Sequence, residues 1–457
     1  MRIPGSRRPG PLVAVVLSVA FSAIFAARPA SAELLAGVAR ADITPPTGGR
    51  MYGYGARGRN VSQGVHDRLH ARAIVLSDGT TRLAIATLDL GSITRENTAR
   101  VRRIVEEATG IRAVLLVASH THSAPSFTPD FPSPDKPYVR DLERRIAGAI
   151  VEASLRLKPA RIGVGRGRVE VGHNRRQVLP DGTVRMLWRN REGKPTSPLD
   201  HSLGVVAVDT PEGEAVATLV NFACHPVILG PENLEISADY PGAMMAHVEK
   251  SVGGQCMFLQ GAAGDINPHW DKTPPAEGGF EQVPVAGEKI GREVLRVREA
   301  IRSFDGAPRL GVERQVVQLD ARWDLGDPRV REALAEQAGR RILKVYTDRF
   351  EKERDAEVST VLIGPRLALA FFPGEFFVEH GLRLKRASLV ENTFFVGYAN
   401  GASGYFPTIR AAAEGGYGAK ESATVVEVGA GEKLVNRALI QLHYQVGKLQ
   451  RVPRFGD

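Results

Sequence analysis

Leu83-Ala84-Ile85-Ala86-Thr87-Leu88, followed after a helical stretch by Ala113-Val114-Leu115-Leu116-Val117-Ala118-Ser119-His120-Thr121-His122, decides the fold. Both apolar runs have the length and β-rich composition of buried strands. Between them Val101, Ile104, Val105 and Ala108 fall at helical spacing, and Gly110 suits a helix C-cap. Strand, helix, strand is a crossover unit, so the two strands should lie parallel and adjacent. Asp89, ending the first, is then expected beside His120, where a carboxylate could orient an imidazole through its other nitrogen.

The same design recurs along the chain. Ala217 to Ala223 ends in Cys224-His225-Pro226, Leu367 to Phe372 ends in Pro373-Gly374-Glu375, and Thr393 to Ala399 opens a Gly-rich turn that reaches Tyr405. Open α/β sheets place ligands just outside the carboxyl ends of their strands. Two His, one Glu and a Tyr thus stand where one metal site would be built. Further helices are expected over Asp141 to Leu157, Pro241 to Val252, Gly287 to Ile301, the charged stretch Asp327 to Asp355, and Leu434 to Val446. The expected class is α/β: mixed β-sheets with flanking helices and a metal site at strand C-terminal ends.

At 457 residues and 43% hydrophobic, the chain can bury a full core, and no repeat, low-complexity tract or interdomain linker divides it. Residues 1–32 stand apart. Arg2, Arg7 and Arg8 precede an apolar run from Pro11 to Ala27, and Ala30-Ser31-Ala32 offers a cleavage point, the pattern of an export signal. Residues 33–457 are then the mature chain, secreted or periplasmic. Export removes four Arg and no acids, which brings the formal charge from +9 to +5. The basic residues are scattered on Glu-rich helices, so nucleic acid is not an expected partner. Cys224 and Cys256 are too few for a disulfide scaffold and can be read as a pair or as buried thiols.

Taken singly, the candidates are modest. His120-Thr121-His122 puts two imidazoles at i and i+2, on one face if the segment is a strand; both could bind a metal, or one could handle protons. His225 alone reads equally well as a core histidine. Glu375 lies within Phe371-Phe372-Pro373-Gly374-Glu375-Phe376-Phe377, where a carboxylate is costly to desolvate without a cation or hydrogen bonds.

Together these residues resemble the neutral/alkaline ceramidase family. Its boxes are matched in order by Gly37 to Pro46, His120-Thr121-His122-Ser123-Ala124-Pro125, Asn174-Arg175, Phe222 to Pro226, Gly264-Asp265-Ile266-Asn267-Pro268, Pro373 to Phe376 and Tyr405-Phe406-Pro407-Thr408. The resemblance implies one Zn2+ per chain, held by His120, His225, Glu375 and Tyr405, with His122, Arg175 and Tyr417 lining the reacting centre. Asp239 falls where the family has a Ser-Asp pair, although a helix-start role is equally natural. Asn267 stands where the family usually has Ser. No immunoglobulin-like domain is expected after the catalytic part.

The activity implied is hydrolysis of the N-acyl amide of ceramide or a related N-acyl lipid by zinc-activated water. His122 would manage the proton, and Arg175 or Tyr417 would steady the oxyanion. A lipid substrate brings peripheral membrane contact as an expectation, although no amphipathic basic helix stands out as an anchor. Two other classes fit the same residues: a metal-dependent hydrolase of another amide, an ester or a phosphoester, which a second metal at Asp89 or Asp265 would favour, and an exported binding protein without turnover.

Overall fold

The computed structural model describes residues 33–126, 136–338, 347–348, 350–351, 354–420 and 424–450. The export-signal assignment to residues 1–32 lies outside the described residues. Three sheets carry the architecture. The first holds β1 (Leu35–Asp42), β2 (His70–Ser77), β3 (Arg82–Leu88) and β4 (Ala113–Ala118), with Lys158–Pro159 at the edge beside β1. The second holds β5 (Arg161–Arg168), β6 (Ser202–Asp209), β7 (Ala215–Phe222) and β8 (Gln255–Gln260), with Phe304–Asp305 at the edge beside β5. The third runs β9 (Leu310–Gln318), β10 (Asp355–Ile363), β11 (Leu367–Phe371) and β12 (Asn392–Val396).

Each sheet is mostly antiparallel and contains one parallel pair: β3 with β4, β7 with β8, and β11 with β12. The first pair is joined by α1 (Arg95–Thr109), as its spacing predicts. Thr94 accepts a hydrogen bond from the Asn97 N–H at the start, and Gly110 ends the helix at φ 72°. Parallel neighbours need a crossover and end on the same side. The candidate site residues therefore gather where these pairs end.

The strands read as continuous apolar runs because both faces are covered. One face of each sheet meets a common interior. Ile85, Leu115 and Val117 from the first sheet share it with Val206, Leu219 and Leu259 from the second and Leu369, Phe371 and Val396 from the third. The outer face of the first sheet packs on α1 and α2 (Lys136–Leu155), and that of the second on α3 (Asp239–Val252) and α4 (Gly279–Ala300). The third carries α5 (Val378–Ala387) and α6 (Ala430–Gln445). Each Leu, Ile or Phe so buried contributes about 1.5–3 kcal/mol, and these inward rows set which strand faces which.

Several expectations need correction. The α2 and α4 helices begin at Lys136 and Gly279 instead of Asp141 and Gly287, and α4 takes Pro284 into its early turns. Of the stretch 327–355, Pro328–Ala338 is helical, and much of the rest lies outside the described residues. Of the two readings of Cys224 and Cys256, the structure has free, buried thiols, one just past the end of β7 and one on β8. Among the described residues no helix is long and apolar enough to cross a membrane.

Candidate metal centre

His120 follows the end of β4 but is not on the strand. Its φ of 71° lies in the left-handed region, which a residue other than Gly enters at some cost, and the Leu90 carbonyl fixes the turn by accepting its N–H at 2.9 Å. The i, i+2 strand geometry expected for His120 and His122 is thus replaced by a turn. It still brings their Nε2 atoms to 3.3 Å. Tyr52 packs edge-on against both rings and Tyr54 against His122. Gly53 lets this segment wrap the imidazole: its φ is +95°, and a Cβ there would lie 2.2 Å from His122 Nδ1.

Main-chain carbonyls orient the other two imidazoles. Nδ1 of His120 lies 2.7 Å from the Gly91 carbonyl, and Nδ1 of His225 lies 2.6 Å from that of Ala263. With Nδ1–H donated in each case, each Nε2 turns a lone pair inward. Both lone pairs face Oε2 of Glu375, at 3.3 Å from His120 and 3.1 Å from His225. Asp89 is not the orienting carboxylate. It accepts from Arg72 at 2.7 Å and from the His70 N–H at 2.8 Å, because a guanidinium on the adjacent strand is the stronger partner.

Glu375 reaches the centre through a short parallel pairing of Glu375–Phe376 with Tyr405–Phe406, in which Glu375 is directly opposite Tyr405. The aromatic residues around it turn away and stack beneath: Phe372 on Phe395 at 4.3 Å between ring centres, and Phe376 on Phe406 at 4.4 Å. They fill the core that the sequence surrounds it with. The carboxylate stands on the opposite side.

Arg175 sits behind Tyr405. Its Nη2 donates to the Gly264 carbonyl at 2.6 Å and to the Tyr405 hydroxyl at 3.2 Å, and Nη1 donates to Asn267 at 3.2 Å. Its Nε has no partner in the protein and is fully buried. The guanidinium lies 4.9 Å from the Tyr417 ring and 5.6 Å from Trp188, and these two aromatics, 47% and 37% exposed, pack edge to face on each other at the surface. Trp188 carries no motif and was not singled out from sequence; only its aromatic character hinted at a wall. Lys272 lies over Trp188 and is pinned by Asp271, at 2.7 Å.

Asp265 accepts from Asn174 at 2.7 Å and from the Val378 N–H at 2.8 Å, while Asp239 opens α3 and accepts from the Leu229 and Tyr240 N–H groups. Both are braces within the fold. Asp265, Asp239 and Asp89 stand outside the one group of potential ligand atoms among the described residues, that of His120, His122 and His225, which lie within 4.8 Å of one another.

Charge fits a cation. Burial pushes His225 down to about 4 against the pull of Glu375, and burial together with the neighbouring imidazoles holds His122 well below the usual histidine range. Burial raises the Glu375 carboxyl, but positive charge on the side of His120 and His225 outweighs it and holds it well below the carboxylate range, and a metal ion between them would supply that charge. Burial and Glu375 push Tyr405 well above the usual phenol range. With each Nδ1–H committed to a carbonyl, Nε2 lone pairs aimed at a carboxylate repel it, and a cation between them removes the repulsion. Ligands about 2.0–2.1 Å from a tetrahedral zinc are about 3.3 Å apart, close to the 3.1–3.3 Å between these atoms.

Fold and site together define a mixed α/β protein with a group of three histidines, His120, His122 and His225, that could hold a metal, faced by Glu375 at the ends of parallel strand pairs. Residues 34–273 match the family model "Neutral/alkaline non-lysosomal ceramidase, N-terminal", more than half of the chain. This chain belongs to that family. The neutral ceramidase of Pseudomonas aeruginosa shares the fold at a TM-score of 0.74 and 20% identity, over 92% of this chain and 76% of that one. A ceramidase complexed with C2 matches at a TM-score of 0.73 and 20% identity, over 93% and 78%. The matched family region contains His120, His122, Arg175 and His225. Glu375, Tyr405 and Tyr417 lie beyond it.

Proposed function

We propose that this chain is a zinc-dependent amidohydrolase that cleaves the N-acyl amide of ceramide or a related N-acyl lipid. The observation that carries the reading is the convergence of His120 Nε2, His225 Nε2 and Glu375 Oε2, with both Nδ1 atoms committed to carbonyls. His120, His225, Glu375 and Tyr405 would hold the ion. When bound, zinc supplies a Lewis acid that polarises a carbonyl and makes water nucleophilic near neutral pH. Family membership supports an amide as the bond broken.

The remaining residues have roles that follow from their atoms. His122, kept neutral by burial, can take a proton at Nε2, and its buried Nδ1 has no partner in the protein. Arg175 is held by three acceptors and keeps an Nε–H without a partner in the protein, which in this reading donates to the negative charge that develops on the amide oxygen. Tyr417 and Trp188 offer the acyl chain an aromatic wall at the entrance. The chain acts in this reading outside the cytoplasm, on the strength of the charged, apolar and small-residue pattern of residues 1–32.

The test is metal analysis of the purified protein coupled to fatty-acid release from an N-acyl sphingoid base, with ester and phosphoester controls. One zinc per chain and release from the amide are expected. His225→Ala should lose both zinc and turnover, whereas His122→Ala should keep zinc and lose at least a hundredfold in kcat. Zinc bound in full with no fatty acid released removes the amide assignment; equal zinc loss in the two variants makes His122 a ligand.

A further inference from the structure

Tyr398 is a phenol packed against His120 to which neither the matched motifs nor the proposed chemistry gives a task. It lies just past β12, with φ at 54°, a region that a bulky L-residue enters only at a cost. Its main chain is held from two directions: the N–H donates to the Gly374 carbonyl at 3.2 Å, and the carbonyl accepts from the Ala118 N–H at 3.1 Å. Those are the strand ends that lead to Glu375 and to His120. Tyr398 is thus tied to both.

The side chain follows. Its ring lies 4.2 Å from the His120 imidazole, tilted by 33°, and 6.3 Å from that of His225. The residue is 3% exposed, and its hydroxyl oxygen is fully buried with no hydrogen-bond partner in the protein. Among the charged groups around it, Glu375 and Arg175 act on it most strongly. Phenylalanine would fill the same space without burying an unpaired O–H. A strained backbone, a contact with a candidate ligand and an unsatisfied donor at one residue are what a functional constraint leaves behind.

We propose that the Tyr398 hydroxyl donates a hydrogen bond to the oxygen of whatever ligand occupies the space bounded by His120, His225 and Glu375. The inference rests on that space being the hydrolytic centre. It adds a donor on the His120 side to the one that Arg175 supplies, so that a bound oxygen has two donors. In this scheme Tyr405 and Tyr398 divide the work: one phenol beside Glu375 and Arg175, one against His120.

The test uses the zinc-loaded full chain and acetohydroxamate, a small anion that presents two oxygens to a metal centre. Tyr398→Phe should keep wild-type zinc content, unfold in the metal-stripped form at or above the wild-type temperature, and bind acetohydroxamate about tenfold more weakly by calorimetry. Binding within twofold of wild type overturns the proposal. As a check independent of the substitution's effect on folding, 3-fluorotyrosine at position 398 should show a fluorine resonance that moves on adding acetohydroxamate; an unmoved resonance at saturation also overturns it. These readouts do not depend on fatty-acid release. Weakened hydroxamate binding without amide turnover would leave Tyr398 in place and remove the amide assignment.

Discussion

His173 shows at the residue scale how burial near the centre turns into pH dependence. Its ring is fully buried, with Nε2 at 2.9 Å from the Leu187 carbonyl and the His269 ring stacked alongside. Burial, only partly offset by the Leu187 carbonyl, lowers it from an ordinary value of 6.5 to about 4. The unfolded chain therefore binds a proton between pH 6.5 and pH 4 that the folded chain refuses, so this histidine favours folding above pH 6.5 and the benefit is lost as pH falls. A shift of that size is on the order of 3 kcal/mol. We expect the stability lead of wild type over His173→Gln, from urea unfolding, to shrink by about that much between pH 7 and pH 4; a constant lead would mean that His173 takes up its proton in the fold as readily as in the unfolded chain.

Much at this scale could be read from the chain itself, and what could not has physical causes. His120, His225 and Glu375 were visible because each closely follows an apolar run, where a polar residue must have somewhere to point, and Tyr405 because a Gly-rich turn leads to it from another. Asp89 met the same criterion and was misplaced, since its true partner Arg72 belongs to a strand that pairs across a turn and carries no mark of its own. Trp188, Tyr52 and Tyr398 were missed because an isolated aromatic resembles any other core or surface aromatic. The left-handed turn at His120 was unreadable for a simpler reason: side-chain-bearing residues rarely go there.

At the level of elements, the question is what holds four strand ends in register. The Gln260 side chain, at the end of β8, answers part of it. Its Nε2 donates to the Ser119 carbonyl at 3.0 Å and to the Cys224 carbonyl at 2.9 Å, the residues just before His120 and His225. Its backbone carbonyl accepts from the Gly397 N–H at 2.9 Å, which attaches the end of β12. One buried amide thus spaces the two imidazoles. Gln260→Ala should cost about 2–4 kcal/mol through the carbonyls left unpaired. It should also weaken zinc about tenfold to a hundredfold, the usual penalty for removing outer support. Chelator competition measures the second effect; unchanged zinc affinity would show that the strands hold their spacing without it.

At the scale of the whole molecule, the three sheets must dock in one arrangement, and a polar link specifies it beside the shared apolar interior. Arg102 on α1 of the first layer donates to both carboxylate oxygens of Glu357 on β10, at 2.7 and 2.8 Å. Asn400 donates to the same carboxylate at 3.0 Å and accepts from the Leu116 N–H at 2.9 Å. Burial would raise Glu357, and Arg102 overcomes it, leaving the carboxyl below its ordinary range. Arg102→Ala leaves that charge buried without its main partner and should cost about 3–5 kcal/mol in unfolding free energy. The double variant Arg102→Met, Glu357→Met should recover most of the loss. Failure to recover would make the link a determinant of which sheets dock, beyond its charge balance.

Because Glu375 and Tyr405 arrive so late along the chain, a ribosome must deliver most of the polypeptide before the centre can close. Until then His120 and His225 have been synthesised without the carboxylate they are built to face. Nascent chains should therefore be poor competitors for zinc, so that loading follows folding. A protein that crosses a membrane unfolded would collect its ion on arrival, from the supply on the far side.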